Sequence, residues 1–166
     1  MNLRFPIFKQ ELRILDLRRR EEKKMLDLGR AFRSQPVWSR ATQSRLIESV
    51  LLRIPMPAIY VAEALDGSTR IIDGLQRLDS LFRFLDGELA LEGLQHLPEL
   101  NGKRFQGLEN KMKRRYEDAL LTVMILGADA DPLLAADLFD RMNLWKPLHA
   151  EEVRCFRGTL GPNRSD

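Results

Sequence analysis

Cysteine and histidine are nearly absent from this sequence of 166 residues. The single cysteine, Cys155, excludes a disulfide framework, and with only His96 and His149 beside it the sequence has none of the ligand spacings of a zinc site. A chain without disulfides suits a reducing compartment, so we expect the protein to be cytoplasmic.

Long apolar runs and a strong net charge are missing as well. No apolar run approaches the ~20 residues that a helix needs to cross a bilayer, and the first residues lack the apolar stretch of a signal peptide, so we expect no membrane partner. The net charge of +3 is too mild to require nucleic acid by itself. With 44% hydrophobic and 31% charged residues, the composition is that of one globular domain with a core of its own.

What the sequence does contain is a sharp change of hydrophobic period at Asp73-Gly74. Ile71 and Ile72, just before it, are β-branched and typical of a buried strand. Apolar residues then recur at helical spacing, at Leu75, Leu78, Phe82 and Leu85. The pattern predicts a strand that runs into a helix, whose first N–H groups can bind an anion.

Two interpretations of this turn remain open. In one, Asp73 is the N-cap, Gln76 completes a capping box and Gly74 only allows the tight turn. In the other, the turn is an anion site. Arg77 favours the second interpretation, because a cation in the first turn is unfavourable beside the positive end of a helix dipole unless an anion meets it.

The remaining pattern predicts an α+β fold with a small mixed sheet flanked by helices. Strands are predicted at residues 58–62, 69–72 and 120–126, and helices at 12–28, 42–53, 74–85 and 108–119, with a last helix opening at Asp131-Pro132. Residues 88–107, divided by glycine and proline, are predicted to be surface connections. A polar tail at the end of the chain is predicted to be disordered.

Two further groups of basic and polar residues are candidates for binding. The helix at 108–119 carries Lys111, Lys113, Arg114 and Arg115, which could contact the phosphate backbone of DNA. The alternative is a solvated face, because acidic residues are interspersed among them. Arg141 and Asn143 lie at the end of the last helix, where the alternative is that Arg141 pairs with Asp137 and Asn143 caps the helix.

Four stretches, taken in order and spacing, resemble the N-terminal domain of the GmrSD modification-dependent restriction enzymes. They are residues 43–49 (QSRLIES) with 54–57 (IPMP), 72–78 (IDGLQRL), 101–105 (NGKRF), and 139–143 (FDRMN) followed by Leu148 and 151–154 (EEVR). The family has a nucleotide-binding core similar to ParB and sulfiredoxin. The resemblance implies such a domain over 28–156, after a charged helical segment at 1–27 and before the tail at 157–166.

The resemblance also implies a nucleoside triphosphate site whose hydrolysis is coupled to a nuclease that cuts modified DNA. Asp73 would hold Mg²⁺ or position water, Gln76 would orient water or phosphate, and Arg77 would neutralise phosphate charge. The remaining implied phosphate-binding residues are Gly74, Arg141 and Asn143.

Three departures from the family pattern keep alternatives open. Leu75 stands where the commonest family form has Gln, Phe32-Arg33-Ser34 departs from a Phe-Gln-Arg, and no His-Asn-His cluster is present. We therefore expect either a nucleoside triphosphatase that works with a separately encoded nuclease, or a non-catalytic ParB-like module that binds nucleotide or DNA. A truncated, inert remnant of a longer restriction protein is the third possibility.

Overall fold

The structure, a computed structural model, describes residues 6–29, 38–130, 137, 138 and 141. In chain order the elements are β1 (Ile7–Arg13), α1 (Ile14–Glu22), β2 (Leu26–Asp27), α2 (Arg40–Leu51), β3 (Ile59–Glu63), β4 (Thr69–Asp73), α3 (Leu75–Leu85), 3-10 turns at Pro98–Leu100 and Phe105–Gly107, α4 (Asn110–Glu117) and β5 (Leu120–Leu126). The strands form one five-stranded sheet in the order β1-β5-β3-β4-β2. The predicted α+β fold with a mixed sheet is confirmed.

The central strand β3 determines how the sheet is mixed. It runs parallel to β5, with Ile59 opposite Val123, and antiparallel to β4, with Val61 opposite Ile71. The register between β3 and β4 shifts at Tyr60, close to the end of β4. The strands predicted at 58–62, 69–72 and 120–126 are therefore confirmed, and the end of β4 lies beside the start of the central strand.

One face of the sheet carries the main core. Alternate residues of β5, among them Val123 and Ile125, point into it, and α1 to α4 bury their apolar sides there. The rings of Phe84 and Tyr116 meet edge to face, with 5.2 Å between their centroids. The buried Tyr116 hydroxyl donates to the carbonyl oxygen of Leu81 at 2.9 Å. Each large apolar side chain buried in such a core contributes about 1.5–3 kcal/mol relative to its exposed state.

The helix predicted over residues 12–28 is wrong at both ends. Residues up to Arg13 belong to β1, which pairs antiparallel with β5, and α1 ends at Glu22. Residues Leu26 and Asp27 then form β2, which pairs parallel with β4. Pairing with distant strands overrides the local helical spacing here, as tertiary context commonly does. The division of the chain at residue 28 stays a prediction.

Residues 88–107, predicted to be surface connections, contribute to the main core. They bury the apolar side chains of Leu89, Leu91, Leu94, Leu100 and Phe105. Two polar side chains of α2 hold this segment. Ser44 Oγ accepts the N–H of Glu92 at 3.0 Å. Oε1 of the buried Glu48 accepts the N–H groups of His96 at 2.7 Å and Leu97 at 2.9 Å.

Helix α2 begins slightly before the predicted residue 42. Its N-cap is Ser39, whose Oγ accepts the N–H of Thr42 at 3.2 Å. In the part of the chain that the structure describes, no helix is long and apolar enough to cross a membrane. Predictions for Asn143, for residues 32–34 and for the tail at 157–166 fall outside the described residues.

Candidate functional site

The junction between β4 and α3, residues 73–77, is where the predicted change of period lies. β4 ends at Asp73 and α3 begins at Leu75. Gly74 between them has a left-handed backbone, with φ of 102°. A Cβ atom at Gly74 would lie 2.4 Å from Cδ1 of Ile59. The junction therefore needs glycine both for its backbone conformation and for its close packing on β3.

Asp73 does not cap the helix. The N-cap is Gly74, which has no side chain, so the predicted capping box of Asp73 and Gln76 is wrong. The carboxylate of Asp73 instead accepts a hydrogen bond from Arg77 Nη2, at 2.8 Å. The first N–H groups of α3 are left without an acceptor from a cap side chain, which is the usual setting for anion binding.

Arg77 is held by three oxygens of the protein itself. Besides its bond to Asp73, its Nη1 donates to the carbonyl oxygen of Ala58, at 3.1 Å, and to that of Pro57. Only 13% of the Arg77 side chain and 25% of the Asp73 side chain are exposed. The anion that meets this first-turn arginine is thus Asp73, and the guanidinium joins the end of β4 and the start of α3 to the segment before β3.

Gln76 bridges α3 to the entry of α2. Its Oε1 accepts the backbone N–H of Trp38 at 3.3 Å, and the carbonyl oxygen of Trp38 accepts Nε2 of Gln43 at 2.9 Å. Oε1 of Gln43 accepts Nη1 of Arg83 at 3.4 Å, which returns the network to α3. The junction therefore directs much of the bonding capacity of Asp73, Gln76 and Arg77 into the fold.

Arg141 is not joined to this junction by any contact in the described residues. Its Nε donates to Asp137 Oδ2 at 2.8 Å, and 70% of its side chain is exposed. Leu138, in the same segment, packs beside Ile72 and Leu126, which form a small cluster separate from the main core. The observed bond is the local i,i+4 pair that the sequence offered as the alternative to a phosphate contact.

The four basic residues predicted on α4 divide into two groups. Lys111, Arg114 and Arg115 are exposed and line one cavity. Lys113 is half-buried and does not line that cavity. The structure therefore brings three of the four candidate DNA contacts together on one side of α4, at helical positions i, i+3 and i+4.

Residues 33–154 match the family described as the GmrSD restriction endonuclease, N-terminal domain. The chain belongs to this family. The matched range covers well over half of the sequence and includes the β4–α3 junction and α4. No curated protein and no solved structure matches the chain.

Sequence reasoning missed what the first GmrSD stretch, on α2, contributes. Gln43, Ser44 and Glu48 are buried polar residues that bond to Trp38, Glu92 and the 96–97 turn, as described above. The sequence does contain a signal for these residues. They are polar and fall on the same side of the helix as its buried apolar residues, and buried polar groups require partners. No buried side-chain nitrogen or oxygen in the described residues lacks one.

The same stretch contains a carboxyl group with a shifted pKa. Burial by itself would raise the pKa of Glu48. The N–H groups of His96, Leu97 and Gln95, together with the charge of His96, outweigh burial and hold the pKa of this carboxyl below its ordinary value. Glu48 is therefore a structural anion, whose charge is satisfied by backbone donors.

The residues present at the junction fit Mg²⁺ only in company with a phosphate ligand. In the described residues, no group of three or more His, Cys, Asp or Glu side chains could hold a metal ion. Mg²⁺ is commonly bound through one or two carboxylates together with substrate phosphates and water. Asp73 can supply one such carboxylate oxygen, since Arg77 is bonded to Oδ2.

Proposed function

We propose that this GmrSD N-terminal domain binds a nucleoside triphosphate with Mg²⁺ at the β4–α3 junction and hydrolyses it, in association with DNA and with the nuclease of a prokaryotic restriction system. The observation that carries the proposal is the start of α3, where backbone N–H groups without a side-chain cap lie directly beside Asp73. Membership of a restriction endonuclease family supports the DNA-directed part.

The helix start supplies binding for a phosphate group. α3 is 11 residues long, so its dipole is fully developed, and no side chain of the N-cap residue Gly74 bonds to its first N–H groups. A phosphate at this point would accept hydrogen bonds from these N–H groups. The carboxylate of Asp73 would repel it unless a cation stood between them, and this is the reason for including Mg²⁺.

The roles of the side chains follow from their contacts. Mg²⁺, when bound, supplies the positive charge that phosphoryl transfer requires. Arg77 fixes the Asp73 carboxylate and so acts as a positioning residue, in place of the direct phosphate contact expected from the resemblance. Gln76 uses Oε1 to hold Trp38, and its Nε2 has no partner among the described residues, so it is available to orient water or a phosphate oxygen.

A second candidate is a module that binds nucleotide without turnover. The observation in its favour is the saturation of Arg77 by Asp73, Pro57 and Ala58, since no other cation of the described junction then remains to stabilise charge on a leaving phosphate. The two candidates share the binding site and differ only in the release of phosphate.

The test is phosphate release from GTP, ATP and deoxynucleoside triphosphates with Mg²⁺, with a thermal shift measured on the same samples. Asp73→Asn keeps the shape and the bond to Arg77 but removes the charge. Asp27→Asn is the matched control, because Asp27 also ends a strand and pairs with an arginine, Arg70, at 2.7 Å.

The enzyme proposal predicts that the natural protein and the Asp27→Asn control release phosphate. Asp73→Asn should release it at least a hundredfold more slowly, which is the usual effect of losing one electrostatic contact to the transition state. A thermal shift with no release would favour the binding module. If no nucleotide gives a thermal shift or phosphate release, both candidates are contradicted.

A further inference from the structure

A cavity distinct from the β4–α3 junction opens between the end of α2 and α4, and we call it the α2–α4 cavity. Its volume is about 560 Å³. Four cationic side chains line it: Arg53, Lys111, Arg114 and Arg115. Asp118 is the one acidic side chain that lines it. A cavity of this size falls within the range of small-molecule sites, about 300–1,000 Å³.

The cations surround the cavity because of where they lie on their helices. Lys111, Arg114 and Arg115 have the i, i+3 and i+4 spacing that places residues on one side of a helix. Arg53 follows the C-cap of α2 and has a left-handed backbone, with φ of 59°. The N–H of Ile54 bonds to the carbonyl oxygen of Ser49, which closes the helix end around Arg53.

Most of these cations have no anion of their own. The side chains of Arg53, Lys111 and Arg114 make no hydrogen bond or ion pair with any residue that the structure describes. Arg115 makes a single bond, from Nη1 to the carbonyl oxygen of Leu51, at 3.3 Å. Asp118 is already shared with Arg13, with 3.3 Å between the charged atoms. Four neighbouring cations facing one acid favour a ligand with several negative charges.

Apolar side chains line the cavity beside the cations. We call these residues the floor and the four cations the rim: Val50, Ile54, Met56 and Leu121 form the floor. Ile54 is 48% exposed, although its side chain is aliphatic. A ligand that matches both the rim and the floor carries phosphate groups on a body with an apolar or flat surface, which is the chemistry of a nucleotide unit.

We propose that the α2–α4 cavity binds a single strand of nucleic acid, with its phosphates on the cationic rim and one unstacked nucleoside against the apolar floor. A strand is preferred to a nucleoside monophosphate because Lys111 and Arg115 lie four residues apart, about 6 Å along the axis, and so reach more than one phosphate. This inference rests on the DNA-associated part of the proposed function, to which it adds Arg53 and from which it removes Lys113.

The test is the binding of a labelled single-stranded oligonucleotide of about 10 nucleotides, measured by fluorescence anisotropy over a range of salt concentrations. Arg53→Gly and Arg114→Ala remove rim cations at exposed positions where folding does not depend on them. The matched control for Arg53→Gly is Lys24→Gly, since Lys24 has the same left-handed backbone, with φ of 59°, after α1 and does not line the cavity. The control for Arg114→Ala is Lys113→Ala.

We expect each cavity variant to weaken binding at least fivefold and to reduce the log–log salt slope by about 0.7, the value for one lost contact to a single strand. Both controls should stay within about twofold of the natural protein. Equal losses in the controls would show a diffuse charge effect and overturn the proposal, and so would undetectable binding by the natural protein.

Competitors identify the ligand class. If deoxyadenosine monophosphate displaces the oligonucleotide at equal concentration, the cavity is a mononucleotide site. If polyglutamate does so, the cavity is a general polyanion site. Either result overturns the proposal. Asp73→Asn should bind the oligonucleotide normally, and Arg114→Ala should release phosphate normally without DNA. Failure at the α2–α4 cavity and failure at the β4–α3 junction are therefore distinguishable.

Discussion

Arginine has opposite surroundings at the β4–α3 junction and at the α2–α4 cavity. Arg77 at the junction bonds to three protein oxygens, and only 13% of its side chain is exposed. Arg114 at the cavity is exposed, and its side chain bonds to none of the described residues. Both belong to a helix, and both were candidates for contacts to phosphate.

The difference shows what each charge can do. An arginine removed from water must be paired, and once Asp73 pairs with Arg77 the two charges chiefly fix the backbone around them. A cation at the rim of a cavity stays hydrated and contributes little to stability, but its donors remain available to a ligand. Substitutions at the junction should therefore alter the free energy of unfolding, and substitutions at the cavity should alter binding.

The largest effect is expected from Gly74→Ala. The new Cβ would clash with Ile59 and would also occupy an unfavourable backbone conformation, so we expect a loss of about 3 kcal/mol in the free energy of unfolding. Gly102→Ala is the control, because its φ is 80° but nothing lies within 4 Å of the Cβ position, and about 1 kcal/mol should be lost. Urea denaturation measures both. Equal losses would mean that the junction is not tightly packed.

The second prediction compares the two arginines directly. Arg77→Ala leaves the Asp73 carboxylate and the Ala58 carbonyl oxygen without their donors in a partly buried site, so we expect a loss of about 2–3 kcal/mol. Arg114→Ala should change the free energy of unfolding by less than about 0.5 kcal/mol. Urea denaturation at one pH and salt concentration is the measurement, and similar losses for both variants would remove the distinction.

The sequence predicts the local part of this architecture well. β-branched runs located three strands, and the change of period at Asp73-Gly74 located the junction and its glycine, because these features depend on neighbouring residues. The partners of Arg77 could not be found in this way. The carbonyl oxygens of Pro57 and Ala58 lie about 20 residues earlier in the chain, and only the pairing of β3 with β4 brings them to the helix.

The α2–α4 cavity and β1 could not be predicted from the sequence for the same reason, because both depend on contacts between distant parts of the chain. β1 forms because the edge of β5 is available, although residues 7–13 are separated from β5 by more than a hundred positions. Arg53 gave no signal as a partner of α4, because its position depends on how α2 ends and on how the two helices pack. The sequence predicted the basic face of α4 but not the wall opposite it.

Glu48 extends the comparison to an anion that is satisfied inside the protein. Backbone donors hold the pKa of its carboxyl below its ordinary value, so its stabilisation is present above about pH 4.3 and is lost as the pH falls through the lower folded-state value. Glu48→Gln should lose about 1.5 kcal/mol near pH 7, and the difference in free energy of unfolding from the natural protein should shrink as the pH falls through the lowered pKa of Glu48.

Urea denaturation across this pH range is the measurement for Glu48. Glu92→Gln is the control, because Glu92 is exposed and only 3.9 Å from Arg40 in a weak surface pair. If the difference in free energy of unfolding between Glu48→Gln and the natural protein is the same at all pH values, the charge of Glu48 does not stabilise the fold.

The smallest effect should have the opposite sign. Arg53 and Lys24 both follow a helix C-cap with φ of 59°, a conformation that favours glycine. A cation at that end of a helix also interacts favourably with the dipole, which offsets part of the strain. We therefore expect Arg53→Gly and Lys24→Gly each to raise the free energy of unfolding by about 0.5 kcal/mol. If Arg53→Gly is more stable than the natural protein but binds the oligonucleotide more weakly, the role of Arg53 is to bind the ligand. If Arg53→Gly is instead less stable than Lys24→Gly, Arg53 contributes to the stability of the fold, as Arg77 does.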